Sequence, residues 1–397
     1  MSPTPVPVVP SSAPNRRDFL RLMAVGAGAA AAITRLPGAD TPPASGQNYA
    51  PVGRAALVVK PGEFVFAAAY LEHGHINGMC KALREAGATL KWVYDEDPKK
   101  VAAFQQLYPE AKAARSFDEI LSDSAVQMVA AAAIPNLRGG IGCRVMQADK
   151  DYFTDKTPFT AFDQLDAARK VVAETKRRYF VYFSERLHNE SAMYATQLVK
   201  DGAIGRVLQV LGLGPHRLGK ADRPAWFFEH EKYGGILCDI GSHQFEQFLT
   251  YAGATDASVM HAIVANHGNP DKPELEDFGE ASLLGNNGAT NYIRVDWFTP
   301  PGLSTWGDGR TFILGDKGYI ELRKYVDIAR DRAGDHVYLV DQKQEHRFDV
   351  AGKVGFPFFG EMILDCLNRT DRAMTQEHIF KAAELCIQAQ RAARKIA

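Results

Sequence analysis

The most constraining feature of the sequence is a regular alternation of apolar, strand-like runs and helical segments over residues 64–183. The apolar run 64–70 is followed by helical periodicity over 76–86, and a second strand-like run covers 90–94 and ends at Asp95. A strand, a crossover helix and a second strand in so few residues form a βαβ unit, which requires a parallel sheet. Because the alternation continues, the sequence predicts a doubly wound sheet whose ligands bind at the carboxyl ends of its strands.

The pattern changes after residue 183. Runs rich in β-branched and aromatic residues follow one another with few helices between them, from 207–213 to 336–339, and two helical segments close the chain. This indicates an open, largely antiparallel sheet. The 397 residues have room for two domains. We therefore predict an α/β protein with a Rossmann-like dinucleotide-binding domain over 54–183 and a substrate-binding α/β domain over 184–397.

The first 53 residues are expected to direct export. The segment 16–20 reads Arg-Arg-Asp-Phe-Leu and precedes a weakly apolar stretch of Ala and Gly over 22–33, which resembles a twin-arginine signal peptide. A flexible basic tail is the alternative. Residues 34–53 are rich in Pro, Gly and Ala, which is typical of a linker or of an arm that lies on a neighbouring subunit. We expect a periplasmic or extracellular protein that is carried by the twin-arginine export machinery.

The composition excludes several classes of partner. The formal net charge is -1, so no basic excess is available to neutralise a nucleic-acid backbone. No apolar run is long enough to span a membrane. The five cysteines are widely spaced without a CxxC pair, which predicts neither a metal site nor a disulfide scaffold. A small neutral ligand fits this composition better.

The cofactor is expected at the turn after the first strand, although the GxGxxG fingerprint is absent there. The glycines of this turn still allow phosphate to approach a helix amino terminus. A carboxylate about twenty residues on, at the end of the second strand, can accept both ribose hydroxyls of NAD and would repel the extra phosphate of NADP. An ordinary strand-to-helix turn is the alternative. The candidate cofactor-binding residues are Gly74, His75, Ile76, Asp95, Pro135, Asn136 and Lys156.

Three further motifs resemble those of the Gfo/Idh/MocA family of oxidoreductases. The segment 155–158 reads Asp-Lys-Thr-Pro and is similar to the family's Glu-Lys-Pro motif, and 239–246 resembles its Asp-x-Gly-x-His-x-x-Asp helix. The closing helices resemble the family's carboxyl-terminal pair. Besides the missing glycine fingerprint, the chain departs from the family pattern at Thr157 and at Glu246. The resemblance implies an oxidoreductase that acts on CH–OH groups with NAD or NADP, and it favours a homodimer or homotetramer.

Lys156, Asp239 and His243 are the candidate catalytic residues. Asp239 and His243 are four residues apart, so on one helix the carboxylate can orient the imidazole. An imidazole, with an ordinary pKa of about 6.5, can take the proton from a sugar hydroxyl as hydride leaves the same carbon. Lys156 would lie between the nicotinamide and that hydroxyl and stabilise developing alkoxide character. Each residue taken singly is equally consistent with a structural role.

Polar and aromatic residues in the second half of the chain are candidates for the substrate side. Arginine and tryptophan can hydrogen-bond to sugar hydroxyls and stack on sugar faces, although core or surface positions would suit the same residues. The candidates are Glu185, Arg186, His216, Arg223, Trp226 and His243.

The export signal and the redox site together predict a tightly bound dinucleotide. No soluble NAD pool exists outside the cytoplasm, so the cofactor must be reset in place in a redox-neutral cycle. One route oxidises one sugar and reduces another, and a second route oxidises a glycoside to assist its cleavage. The alternatives are a non-catalytic sugar-binding or sensing protein on a degenerate dehydrogenase scaffold and a conventional dehydrogenase with a dissociable cofactor.

Overall fold

A computed structural model describes residues 51–330 and 333–396 of the chain. The predicted export signal and most of the predicted linker fall within residues 1–50, outside the described residues. In the described part of the chain, no helix combines the length and the apolar character needed to cross a bilayer.

The first half of the described chain contains a parallel sheet of six strands in the order β3-β2-β1-β4-β5-β6. The strands are β1 (Val65–Ala69), β2 (Thr89–Tyr94), β3 (Lys112–Ala113), β4 (Met128–Ala131), β5 (Asp151–Asp155) and β6 (Tyr179–Tyr182). The connecting helices are α1 (His75–Glu85), α2 (Pro98–Leu107), α3 (Phe117–Ser122), α4 (Pro135–Gln147) and α5 (Phe162–Thr175). This order reverses between β1 and β4, which places a ligand crevice beyond the carboxyl ends of these strands.

The burial of this sheet explains its parallel arrangement. All residues of β4, β5 and β6 are buried, as expected for strands that are covered by helices on both faces. Helix α1 contributes a buried apolar face that includes Ile76, Met79 and Leu83. The predicted doubly wound sheet is therefore confirmed.

The second half of the chain forms a nine-stranded sheet in the order β14-β13-β12-β11-β7-β10-β9-β8-β15. Its strands are β7 (Val207–Pro215), β8 (Ala257–Ala265), β9 (Phe278–Gly285), β10 (Thr290–Asp296), β11 (Arg310–Gly315), β12 (Tyr319–Arg323), β13 (His336–Val340), β14 (Glu345–Asp349) and β15 (Arg394–Ile396). Within this second sheet, only two pairs of described strands are parallel, β7–β10 and β8–β15. The predicted open, largely antiparallel sheet is confirmed.

Seven further α-helices follow the parallel sheet in the described chain. They are α6 (Ser184–Leu187), α7 (Glu190–Lys200), α8 (His230–Tyr233), α9 (Ile236–Asp239), α10 (Gly241–Ala252), α11 (Pro357–Asn368) and α12 (Gln376–Ala392). Helix α9 begins after two glycines with positive φ, Gly234 (85°) and Gly235 (87°), a conformation that other residues rarely adopt. This turn brings α9 to the edge of the parallel sheet's crevice.

Close packing of α4 on the parallel sheet gives a test of the fold. A methyl group at Gly142 would lie 2.5 Å from the Tyr179 ring and 2.7 Å from the Tyr152 ring, whereas one at Gly140 of the same helix would meet no atom within 4 Å. We expect Gly142→Ala to lower the free energy of unfolding by about 1–3 kcal/mol through overpacking. Gly140→Ala, the control, should leave it unchanged or raise it by up to about 1 kcal/mol. Urea unfolding followed by circular dichroism measures both, and a Gly142→Ala protein as stable as the parent would contradict this packing.

Candidate active site

The described residues enclose a cavity of about 380 Å³ beyond the carboxyl ends of β1, β4 and β5. One wall comes from the loops and helix starts that follow strands of the parallel sheet, namely His73, Gly74, His75, Asn77, Gly78, Pro135, Arg138, Lys156, Tyr182 and Ser184. The other wall comes from the second half of the chain, namely His216, Arg223, Trp226, Phe227, Tyr233, Asp239, His243, Trp297, Trp306 and Tyr325. The cavity therefore lies at the expected ligand crevice of the doubly wound sheet.

An ion pair joins the two walls. The Lys156 ammonium lies 2.5 Å from Asp239 Oδ1 and also donates to the Asp239 carbonyl oxygen at 3.3 Å. Both side chains are largely buried, with 6% and 12% of their surface exposed. Each charge is thus compensated by the other, which is required of charges removed from water. The pair holds a cation at the cavity surface directly after β5.

His243 lies in the first turn of α10 and also lines the cavity. The residue is 2% exposed, and its Nδ1 is buried without a hydrogen-bond partner among the described residues. Burial, and then repulsion by the Lys156 ammonium, hold the pKa of His243 well below its ordinary value. The imidazole is therefore neutral near pH 7 and keeps a nitrogen free for a ligand.

The expected pairing of Asp239 with His243 does not form. The Asp239 carboxylate turns to Lys156 instead, and Asp239 ends α9 whereas His243 belongs to α10, so the two residues do not share one regular helix. The attraction of a buried ammonium outweighs that of a neutral imidazole. The structure brings Lys156, Asp239 and His243 to one cavity, but with the carboxylate fixing the lysine rather than the histidine.

A buried aspartate orients two further histidines. Asp155, at the end of β5, lies 3.2 Å from His73 Nδ1 and 2.8 Å from His75 Nδ1, and it accepts a 3.2 Å hydrogen bond from Arg138. Burial opposes ionisation of Asp155, but His75 and then Arg138 outweigh it and hold the pKa of this carboxyl below its usual range. Burial also lowers the pKa of His73. The sequence analysis considered His75 but missed His73 and Arg138; the two histidines that flank Gly74 were the signal available for His73.

His73, His75 and Asp155 form the one group among the described residues that could hold a metal ion, since their ligand atoms lie within 4.8 Å of one another. The Asp155 carboxylate, however, also accepts from the Lys156 amide and from the Arg138 guanidinium. A permanent cation 3.2 Å from a candidate ligand oxygen disfavours a dication at that position. We therefore assign the group as a hydrogen-bonded cluster that fixes the cofactor side of the cavity.

Aromatic side chains form the far wall. The His216 ring contacts Trp306 at 4.3 Å and Trp297 at 5.5 Å between ring centroids, and Trp306 contacts Tyr325 at 4.5 Å. Burial, followed by repulsion from Lys156, lowers the pKa of His216 well below its ordinary value. Sequence reasoning missed the two tryptophans and Tyr325, which follow strands β10 and β12 and meet only in the folded sheet.

Several other predicted site residues also reach the cavity. Besides Lys156, Asp239 and His243, they are Gly74, His75, Pro135, His216, Arg223 and Trp226.

Five predicted residues do not line the cavity. Ile76 is 2% exposed in the hydrophobic core, and Asn136 lies in the first turn of α4, where its carbonyl accepts from Gln164. Asp95 lies at the end of β2, beyond the cavity.

The other two, Glu185 and Arg186, form buried ion pairs with other residues of the chain. Glu185 accepts from Gln244 at 2.8 Å and pairs with Lys324 at 3.2 Å. Arg186 Nε donates to Glu246 at 2.8 Å, and the pKa of Glu246 falls to about 2 because this attraction outweighs the effect of burial. Neither residue lines the cavity, and each charge is already paired in the interior.

The residues present fit a nicotinamide dinucleotide. Asp95 Oδ2 accepts from the Leu71 amide at 2.6 Å and Oδ1 accepts from the Asp97 amide at 2.9 Å. A carboxylate has about four acceptor positions, so capacity for ribose hydroxyls remains. Glu72 places an acid in the turn after β1, but Lys100 forms an ion pair with it. The turn is therefore not left with an uncompensated negative charge facing a diphosphate.

Comparison with known proteins supports this assignment. Residues 193–321 match the Gfo/Idh/MocA C-terminal domain. A crystal structure from Erwinia carotovora atroseptica, of a protein assigned as an oxidoreductase, is 51% identical, covers 84% of this chain and 100% of that chain, and has a TM-score of 0.82. The aldose-aldose oxidoreductase of Caulobacter crescentus shares the fold, with 19% identity, coverage of 83% and 97%, and a TM-score of 0.68.

An uncharacterized oxidoreductase of Schizosaccharomyces pombe is 25% identical over 233 residues. That match covers 57% of this chain, and the chain spans 58% of the length of the yeast relative. The domain match, the Erwinia relative that is similar over its whole length and the shared two-sheet fold lead to one assignment. This chain belongs to the Gfo/Idh/MocA family of oxidoreductases.

Proposed function

We propose that the chain is a nicotinamide-dependent oxidoreductase that acts on a CH–OH group of a sugar or glycoside. The observation that carries the proposal is the buried, unpartnered Nδ1 of His243 on the same cavity wall as the Lys156–Asp239 ion pair. A buried polar atom without a partner costs free energy unless a ligand satisfies it. A substrate hydroxyl, which can donate a proton to this nitrogen, would satisfy it.

The chain's own residues divide the work as follows. Gly74, His75, Pro135 and Asp95 would hold the dinucleotide, which when bound supplies the acceptor and donor of a hydride equivalent. The neutral His243 imidazole takes the hydroxyl proton at Nδ1. The Lys156 ammonium, held by Asp239, faces the same oxygen and stabilises its negative charge as the C–O bond gains carbonyl character. The low polarity of the surrounding aromatic wall strengthens that attraction.

We further propose that the dinucleotide stays bound through a redox-neutral cycle in an exported protein. Support comes from the twin-arginine sequence at 16–20 and from the absence of a soluble dinucleotide pool outside the cytoplasm. Sugar-to-sugar oxidoreduction and oxidation-assisted glycoside cleavage both fit such a cycle. The Caulobacter fold neighbour, an aldose-aldose oxidoreductase, is named for a reaction of the first kind.

Retention of the cofactor is directly measurable. Protein that is purified without added dinucleotide and then denatured should release close to one equivalent of NAD or NADP per chain. Mass spectrometry of the released small molecules identifies the compound and its amount. Denatured protein that releases no dinucleotide would contradict a retained cofactor, and a protein that turns over only with added NAD would indicate the conventional dehydrogenase instead.

Loss of the Lys156 ammonium should abolish most turnover without releasing the cofactor. We expect Lys156→Met to lower kcat by roughly 10²–10³-fold, because one charge-stabilising donor at the developing alkoxide is lost. The control is Lys150→Met, which removes a lysine that is 4% exposed at the opposite end of β5 and that, among the described residues, donates to the Asp123 and Val126 carbonyls. The control should keep kcat within about threefold per folded molecule. Equal losses of kcat in both variants would show that Lys156 has only a structural role. If neither the parent nor Lys156→Met turns over sugar and both bind it equally well, a non-catalytic binding protein would be favoured.

A further inference from the structure

The cavity contains an arginine, Arg223, that forms no ion pair with a carboxylate of the described residues. Arg223 Nε donates to the Leu218 carbonyl at 2.8 Å, and no carboxylate of the described residues lies within 4 Å of its guanidinium as an ion-pair partner. Its neighbour in the chain, Asp222, is exposed and does not pair with it. The terminal nitrogens of Arg223 are therefore left for a ligand in the cavity that this residue lines.

Aromatic rings hold this guanidinium in place. Its Cζ lies 4.4 Å from the centre of the Phe227 ring and 5.0 Å from the centre of the Trp297 ring. Stacking on rings fixes the plane of the fork while it leaves the edge, with its N–H donors, free. Burial lowers the pKa of Arg223 and outweighs the attraction of the Asp239 and Asp222 carboxylates, neither of which forms an ion pair with it.

A second donor on the same wall also lacks a partner. Trp306 Nε1 is buried without a hydrogen-bond partner among the described residues, and the Trp306 ring reaches Trp297 through the shared contact with His216. An indole nitrogen can only donate. Both residues line the cavity, so a ligand that brings acceptor atoms would satisfy both donors.

The charges of the cavity limit the acceptor to one negative charge. Among the described residues that line it, the cations are Arg138, Lys156 and Arg223, and the one carboxylate is Asp239. Asp239 balances Lys156, and the buried Asp155 behind the wall balances Arg138. One positive charge remains, at Arg223. A carboxylate neutralises it, whereas a phosphate monoester would leave an excess negative charge in a site with little water.

We propose that the substrate is an acidic sugar or its glycoside, a uronide, whose carboxylate binds Arg223. That the ligand is a sugar rests on the proposed function. That the ligand carries a carboxylate rests on Arg223 and Trp306 alone. It also revises the expectation of a neutral ligand drawn from the net charge of the whole chain, since the local charge at this cavity is positive.

Matched ligand pairs test the proposal on the full chain with whatever cofactor it retains. The probes are the methyl glucuronide, galacturonide and mannuronide, each paired with the neutral methyl glycoside of the same sugar, and binding is measured by titration calorimetry. At least one uronide should bind about 10- to 100-fold more tightly than its neutral partner, the range expected for charge-assisted hydrogen bonds to arginine. This comparison of uronide and neutral glycoside needs only the unaltered protein. Equal binding within every pair, no binding of any uronide, or tighter binding of the corresponding hexose 6-phosphates would overturn the proposal.

Variants then locate the preference. Arg223→Gln should reduce the ratio within the responsive pair to near one. Lys220→Gln, which removes an exposed cation three residues away that pairs with Asp271, should leave the ratio unchanged. A preference that survives Arg223→Gln, or a variant that loses dinucleotide instead, would place the role of Arg223 elsewhere. Dinucleotide content is measured on the same samples. A protein that holds no dinucleotide but still prefers the uronide contradicts only the proposed function. A protein that holds dinucleotide but does not prefer the uronide contradicts only this inference.

Discussion

The ion pair between Lys156 and Asp239 is the interaction on which the rest of the site depends. It connects the end of β5 in the parallel sheet with the end of α9, which leads into α10, and so fixes how the two walls of the cavity face each other. Two charges that are removed from water are tolerated only when paired and hydrogen-bonded, so the wall positions are set by a strong electrostatic requirement. The ammonium ends at the cavity surface, and His243 follows within the next turn of chain.

Three imidazoles that line this cavity, those of His73, His216 and His243, are neutral near pH 7. Burial lowers the pKa values of His73, His216 and His243, and the nearby Lys156 ammonium lowers them further. Near neutral pH each ring therefore keeps a lone pair that can accept a proton. Asp155 fixes His73 and His75 on the cofactor side, whereas His243 has no such partner and is free for substrate. This asymmetry is why we assign the proton-accepting role to His243.

Much of the architecture could be predicted because periodicity reports burial. The apolar runs at 64–70 and 90–94 predicted β1 and β2 within a residue or so, whereas the two-residue strand β3 was not predicted. Helix α7 was missed even though the Asn189 side chain caps it by accepting from the Ala192 amide, a signal that is present in the sequence. The short strand β15 was not predicted, because its pairing with β8 is a tertiary contact.

The site was predicted less completely, because ion-pair partners are not encoded by local spacing. Lys156, Asp239 and His243 were found through a motif, but their pairing was wrong: distance along a helix favoured Asp239 with His243, and the fold supplied a stronger partner 83 residues away. Glu185 and Arg186 were misassigned for the same reason, since Glu185 forms an ion pair with Lys324 and Arg186 forms one with Glu246. Trp297 and Trp306 belong to the cavity only through the register of the second sheet.

A crystal structure of the protein with a bound dinucleotide and a sugar ligand is the most direct test of the central claim. The account predicts one carbinol oxygen within about 3 Å of both His243 Nδ1 and Lys156 Nζ, on the carbon that faces the nicotinamide ring. A sugar whose hydroxyl groups approach neither atom, with the His243 nitrogen still unpartnered or bound only to water, would contradict it.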